Sequence, residues 1–77
     1  MVRAYILIQT QVGSAGEVAR DVGRIKGVTS AEAVTGPYDV IAVFEARNLD
    51  ELARLVVGKT QSIDGVTRTL TCPVVRL

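Results

Sequence analysis

Two short stretches of the chain hold the side chains best suited to bind another molecule. In Gly36-Pro37-Tyr38-Asp39, a carboxylate follows an aromatic ring directly before the apolar run VIAVF. A turn at this point uses Gly and Pro, but it does not require Tyr38 or Asp39. These two residues are therefore candidates for a role beyond the turn itself.

The second stretch is TRTLT, whose alternation places Thr67, Thr69 and Thr71 on one face of a predicted strand. Three hydroxyls in a row could line a small polar pocket. They could equally reflect the preference of threonine for β-strands, and the sequence alone leaves both interpretations open.

The residue types that most enzymes and zinc sites use are missing. The chain has no His and one Cys, so neither the usual zinc spacings nor an intrachain disulfide can be written. Asp39 has no second carboxylate beside it that would support general acid–base chemistry. We therefore predict no catalytic residue, no metal site and no cofactor, and we expect Cys72 to be a small buried apolar residue.

The charge of the chain is small and evenly spread. Nine Lys and Arg residues against eight Asp and Glu residues give a formal net charge of +1, with no basic stripe. Attraction to a nucleic-acid backbone should therefore be weak. The longest apolar runs, AYILI and VIAVF, are far too short to span a membrane. These features favour a cytoplasmic protein without direct contact to DNA or membrane.

Apolar periodicity and turn residues divide the chain, a single domain over 1–77, into six elements. The predicted elements are strands over 2–11, 28–35, 39–47 and from 66 to about 75, and helices over 15–26 and from 49. The order βαββαβ is that of a ferredoxin-like α+β fold, a four-stranded antiparallel sheet with both helices on one face. The triplet Gly-Val-Thr precedes or opens two of the strands, at 27–29 and 65–67, as expected for two related halves.

Both predicted helices begin with a capping signal. Ser14 and Glu17 match a capping box, and Asn48 and Glu51 repeat its spacing. Each helix also has an apolar stripe that should face the sheet. The stripe residues are Val18, Val22 and Ile25 in the first helix and Leu49, Leu52, Ala53 and Val56 in the second.

The predicted sheet has two apolar faces. In the first strand, Tyr5 and Leu7 alternate with apolar residues of the opposite face, and in the third strand the run VIAVF leaves neither face polar. In the last strand, Val66, Leu70, Cys72 and Val74 are predicted to share a face with Arg68. Helices cover only one face, and an exposed apolar face on a small domain favours self-association. We therefore predict a homodimer or a larger oligomer.

Taken together, these stretches resemble the effector domain of the leucine-responsive/AsnC family of feast-or-famine regulators, also called the RAM domain. The matching stretches are AYILI at 4–8, the Gly-Val pair at 27–28, VTGPYDV at 34–40 and GVTRTLT at 65–71. The resemblance covers essentially the whole chain. It implies a dimer that assembles further into rings, such as tetramers of dimers, with an amino acid effector bound in clefts between protomers.

Full-length members of that family also carry an N-terminal helix-turn-helix domain. This chain starts at its first strand, so it resembles a stand-alone RAM domain, for which direct operator binding is not expected. Two functions follow from the resemblance. One is an amino acid sensor that modulates transcriptional regulation of amino acid metabolism, and the other is an assembly module that forms mixed oligomers with full-length regulators without a ligand of its own.

The resemblance also implies where the effector binds. Asp39 would accept the ammonium of an α-amino acid, and the Gly36 backbone would approach its carboxylate on the same turn. The remaining candidate contacts are Pro37, Tyr38, Thr69, Thr71 and Arg76. The sequence leaves open whether Gln61 and Ser62 also contact the ligand.

Each of these residues has a simpler alternative. Gly36 and Pro37 would be needed for the turn alone, and Asp39 could form only an Asx-type turn with nearby backbone. Tyr38 could be an anchor at an interface. Arg76 could be a solvated charge near the end of the chain.

Overall fold

The computed structural model describes residues 1–77 and has the predicted element order. The strands are β1 (Val2–Thr10), β2 (Val28–Ala33), β3 (Val40–Ala46) and β4 (Val66–Pro73), and the helices are α1 (Ala15–Gly23) and α2 (Leu49–Leu55). A π-helical segment over Val56–Thr60 continues α2. The antiparallel sheet has the order β2-β3-β1-β4, so the predicted ferredoxin-like α+β fold is confirmed. No helix has the length and apolar character that crossing a membrane requires.

The core lies between the two helices and one face of the central strands. The register pairs Ala4 with Phe44 and Ile6 with Ala42, so alternate residues of β1 and β3 point to the same side. Val18 and Val22 of α1, and Leu52 and Val56 of α2, pack onto this side. The eleven core residues are Ala4, Ile6, Ile8, Val18, Val22, Val40, Ala42, Phe44, Ala46, Leu52 and Val56.

The apolar stripe predicted for α2 is too wide. Leu52 and Val56 are buried, but Leu49 is 59% exposed and Ala53 is also exposed. The reason is the position of the helix, which packs against β3 in the middle of the sheet. Leu49 and Ala53 instead line a groove between α2 and the edge strand β4.

The first capping prediction is wrong and the second is confirmed in part. Ser14 occupies the N-cap of α1 with φ −102° and ψ −1°, and its side chain makes no capping bond to Glu17. These backbone angles are helical, whereas a residue whose side chain caps a helix normally has extended backbone angles. At α2, the backbone N–H of Glu51 donates to Oδ1 of Asn48 at 2.9 Å. The Glu51 carboxylate does not return to Asn48 but accepts from the backbone N–H and Nε of Arg47, at 3.1 and 2.9 Å.

Helix α1 also ends earlier than predicted, at Gly23 rather than at residue 26. The backbone N–H groups of Arg24 and Ile25 donate to Asp21 and Val22, three residues back, which tightens the chain into a final turn. Ile25 is consequently only partly buried.

A bulge in β4 changes which residues share a face. Thr10 of β1 pairs with Val66 and Gln9 pairs with Arg68, so Thr67 is an extra residue in β4. Val66 therefore lies on the helix side, partly buried against the core, and not with Leu70 and Arg68 as the alternation predicted. Cys72 is exposed on the opposite face, so the prediction that it is buried is wrong for the single chain.

The repeated Gly-Val-Thr triplets mark two junctions that only glycine fits. Gly27 and Gly65 have φ of +101° and +93°. A Cβ on Gly27 would lie 2.9 Å from Cδ1 of Leu55, and one on Gly65 would lie 3.1 Å from Cγ2 of Val18. Each glycine thus lets the chain pass closely beneath a helix before it enters β2 or β4.

We expect Gly27→Ala to lower the free energy of unfolding by about 1–3 kcal/mol, because the substitution forces a side chain into the left-handed region and against Leu55. Chemical denaturation measures this change. Gly58→Ala is the matched control, since no atom lies within 4 Å of the added Cβ and its φ is not positive. Equal stability of the two variants would contradict the assigned role of Gly27.

The pKa of Glu51 lies below its ordinary value because the backbone N–H and the guanidinium of Arg47 donate to its carboxylate. A lowered folded-state pKa contributes stability above the ordinary glutamate value of about 4.3, and this contribution is lost as the pH falls through the lowered value. Glu51→Gln should therefore be less stable than wild type at pH 7 and equally stable in acid. Denaturant midpoints across this range test it, and a stability difference that persists unchanged in acid would contradict this role of the Arg47–Glu51 contact.

Candidate functional site

The predicted turn at 34–39 closes a loop at one end of the sheet. The backbone N–H of Val34 donates to the carbonyl of Asp39 at 2.8 Å, which holds the two ends of the loop together. Gly36 has φ +123°, a conformation that other residues rarely adopt, and no atom lies within 4 Å of where its Cβ would be. Gly36 is thus required by its backbone angle and leaves open space beside the chain. Pro37 accepts a hydrogen bond at its carbonyl from Nε2 of Gln9 at 3.2 Å.

Asp39 fixes this loop to the end of β1. Its Oδ2 accepts from the backbone N–H of Thr10 at 2.8 Å, and its own N–H donates to the carbonyl of Ile8 at 2.9 Å. The carboxylate therefore has a structural role, although its partner lies on another strand and not in an Asx-type turn. Its second oxygen, Oδ1, receives no hydrogen bond from the chain and is accessible to solvent. That oxygen is free to accept from another molecule.

Thr69 and Thr71 lie on the helix side of the edge strand. They pair with Ile8 and Ile6, whose side chains are fully buried beneath the helices. Because β4 is the last strand, the two hydroxyls line an open groove of about 330 Å³ between β4 and α2. Thr69 Oγ1 accepts a hydrogen bond from Nε2 of Gln61 at 3.0 Å.

The structure does not bring all the predicted site residues together within one chain. No residue of 36–39 lines the groove that contains Thr69 and Thr71. Arg76 lies beyond the C-terminal end of β4, close to where the backbone N–H of Val74 donates to the carbonyl of Arg3. The Arg76 side chain is exposed and forms no ion pair. Ser62 donates to the carbonyl of Lys59 at 2.9 Å and so closes the end of the π-helical segment. The loop at 36–39 and the groove are therefore two separate candidate half-sites.

The second face of the sheet is uncovered. The rows Leu70–Leu7–Ile41 and Cys72–Tyr5–Val43 run across β4, β1 and β3 on this face. Tyr5 and Leu70 are each 42% exposed. We call this surface the open face; its residues are Tyr5, Leu7, Ile41, Val43, Leu70 and Cys72.

The apolar residues of the groove are not among the site residues predicted from the sequence. The helical stripe predicts that Leu49 faces the core and assigns no role to Val57, yet both line the groove and are 59% and 62% exposed. The sequence feature that indicates these groove residues is the width of the apolar stripe. The stripe covers more of the helix surface than one contact with the sheet needs; its residues are Leu49, Leu52, Ala53, Val56 and Val57.

The chain resembles known proteins along its whole length. Residues 3–77 match the family described as the Lrp/AsnC ligand binding domain. The uncharacterised HTH-type transcriptional regulator PH1916 of Pyrococcus horikoshii is 37% identical over 71 residues, which cover 88% of this chain and 47% of that protein. The chain thus spans about half the length of the curated relatives it matches.

Two solved structures show the same architecture. The crystal structure of TTHA0845 from Thermus thermophilus has a TM-score of 0.93 and 28% identity, covering 100% of this chain and 96% of that one. The transcriptional regulator NMB0573 from Neisseria meningitidis, solved as a complex with L-Met, has a TM-score of 0.85 and 22% identity, covering 97% of this chain and 50% of that one. On the match over 3–77, the chain belongs to the Lrp/AsnC ligand-binding domain family.

Proposed function

We propose that this chain is an oligomeric amino acid sensor, in which two copies bury their open faces and an effector amino acid binds between protomers of the assembly. The observation that carries this proposal is the separation of the two half-sites. The loop at 36–39 offers a free carboxylate oxygen, and the groove offers hydroxyls beside an apolar wall, but the two lie apart in one chain. A neighbouring protomer would supply the missing half.

The loop half-site suits the amino and carboxylate groups of an amino acid. Oδ1 of Asp39 has no hydrogen-bond partner in the chain and can accept from an ammonium group, and hydrogen bonds between charged groups are roughly twice as strong as neutral ones. The bond from Thr10 holds the carboxylate in place before any ligand arrives, so little ordering is needed on binding. The bare backbone at Gly36 allows the ligand to come close. The L-Met complex of the Neisseria regulator supports an amino acid as the ligand class.

The open face is the proposed dimer surface. Its central residues, Leu7, Ile41 and Val43, are apolar and only partly buried, because both helices lie on the opposite face. An ion pair between Arg3 and Glu45, at 3.8 Å, lies on neighbouring strands near one end. An apolar centre with charged groups at its edge is the usual arrangement of a protein interface. Rings of dimers would then bring a loop of one dimer near a groove of the next.

The proposed action is regulatory, not catalytic. The relatives that the chain matches are transcriptional regulators about twice its length, and they contain the same domain. Such regulators would present an open face of the same kind, so mixed oligomers with them are a route by which a bound amino acid could influence transcription. In this arrangement the chain itself does not contact DNA.

Val43→Asp should convert the dimer to a monomer without unfolding it, because Val43 faces away from the core and a buried unpaired carboxylate is costly at an interface. Sedimentation equilibrium at micromolar concentration measures the mass, against 8.2 kDa for one chain. Val12→Asp, at a fully exposed turn, is the control and should remain dimeric. A wild-type chain that sediments as a monomer would refute the proposal, and a dimeric Val43→Asp would assign the interface elsewhere.

Asp39→Asn should weaken amino acid binding at least tenfold, because the amide keeps an acceptor for Thr10 but loses the charge that attracts the ammonium. Its stability should fall by less than that of Asp39→Ala, because the amide oxygen still accepts from Thr10, although without a charge. Asp39→Ala should in addition lower the free energy of unfolding by about 1–3 kcal/mol, since the Thr10 N–H loses its partner. Titration calorimetry with the twenty amino acids, followed by denaturation of both variants, separates the two effects. Native affinity in Asp39→Asn would remove Asp39 from the site.

A further inference from the structure

Two opposite charges stand at the two edges of the open face. Glu32 of β2 pairs with Ile41, and Arg68 of β4 pairs with Gln9, which alternates with Leu7 along β1. Both charged side chains therefore point to the side of the sheet that the helices leave uncovered. Each is the only charged residue of its strand, is exposed and forms no ion pair within the chain.

The two charges are too far apart to meet within one chain. The sheet order β2-β3-β1-β4 puts both central strands between them. Three strand spacings of about 4.8 Å separate their backbones by about 14 Å. Each edge of the apolar surface thus carries a charge that only another molecule can pair.

The geometry of a symmetric dimer limits how two open faces can meet. A two-fold axis that relates two facing sheets lies between them, and strands of aligned sheets stay within about 30° of each other. The axis must then run nearly along the strands or nearly across them. An axis along the strands, through the middle of the sheet, places β2 over the partner's β4 and β3 over the partner's β1. An axis across the strands places each strand over its own copy.

Only the axis along the strands brings opposite charges together. It places Glu32 beside the partner subunit's Arg68, with an offset of about 7 Å along the strand that two long side chains can bridge. It also places Glu45 over the partner subunit's Arg3, which joins the two Arg3–Glu45 pairs into one cluster. With the axis across the strands, Arg68 would face a β4 without any acidic residue, and Glu32 would face a β2 without any basic one.

We propose that the open face takes a second copy of the chain in this one orientation, and that Glu32 of each protomer pairs with Arg68 of its partner subunit. This inference rests on the proposed dimer and adds its orientation and its charged contacts. Charges at the rim of an interface determine which orientation and which partner are accepted more than they raise the affinity. A longer regulator would be accepted on the same terms, with an acidic group on its β2 and a basic group on its β4.

Charge reversal tests the pairing. Glu32→Arg and Arg68→Glu should each weaken dimerisation about tenfold, because the two-fold axis repeats the like-charge contact at both edges of the interface. An equimolar mixture of the two variants should recover the wild-type affinity, since a mixed dimer restores both opposite-charge contacts. Sedimentation velocity over a dilution series measures the dissociation constants. Recovery on mixing also separates a contact between chains from one within a chain.

The control variants carry the same charge changes on the helix side. Glu17→Arg and Arg20→Glu are exposed on α1, so each should dimerise like wild type and their mixture should show no gain. The effects of the edge variants should also shrink at about 1 M salt, where the screening length is about 3 Å.

The outcomes separate this inference from the proposed dimer. If either edge variant dimerises like wild type, or if their mixture associates no more tightly than each variant alone, the Glu32–Arg68 pairing is overturned while the dimer through the open face survives. If the wild-type chain is a monomer, both are overturned.

Discussion

The two-sided apolar character of the central strands is the constraint on which the rest of this structure depends. Most residues of β1 and β3 that point to the helices are buried, and the central residues that point away, Tyr5, Leu7, Ile41 and Val43, are also apolar. Two short helices can satisfy only one side of such a sheet. In water, a surface built from Tyr5, Leu7, Ile41, Val43 and Leu70 is better hidden than exposed. The proposed self-association would therefore bury the second side of the sheet as the helices bury the first.

In the proposed site, Asp39 of the loop at 36–39 serves both the fold and a ligand. Asp39 uses one carboxylate oxygen to bind Thr10, which anchors the loop to β1, and keeps the other oxygen unoccupied. The structural bond also orients the free oxygen, so a binding group is held in position by the same contact that stabilises the turn. A structural role for Asp39 therefore does not argue against a binding role.

Local patterns in the sequence predict this fold well, and the errors that concern the site come from contacts between elements. The order of strands and helices along the chain, the Gly turns and the Asn48 cap follow from rules that act within a few residues. Local rules do not predict which residues of β4 face the helices, because the bulge at Thr67 depends on how β4 pairs with Gln9 and Thr10. The wide stripe on α2 indicates surplus apolar surface at Leu49 and Val57, but it does not reveal that they line a groove beside β4, because that depends on how α2 packs on the sheet. For the site, the sequence indicates which residues are polar and near turns, but their division into two half-sites depends on the tertiary arrangement.

Strand β4 physically connects the proposed ligand site to the proposed interface. Leu70 and Cys72 belong to the open face, while Thr69 and Thr71 alternate with them and line the groove. Because side chains in a strand alternate strictly, a shift of β4 that adjusts the hydroxyls to a ligand must also move the apolar residues at the interface. An effector that prefers one geometry of β4 would therefore shift the association equilibrium, and association would in turn change the affinity for the effector by the same factor. An edge strand suits this purpose because it is paired on one side only, so it can move at lower cost than the central strands β1 and β3.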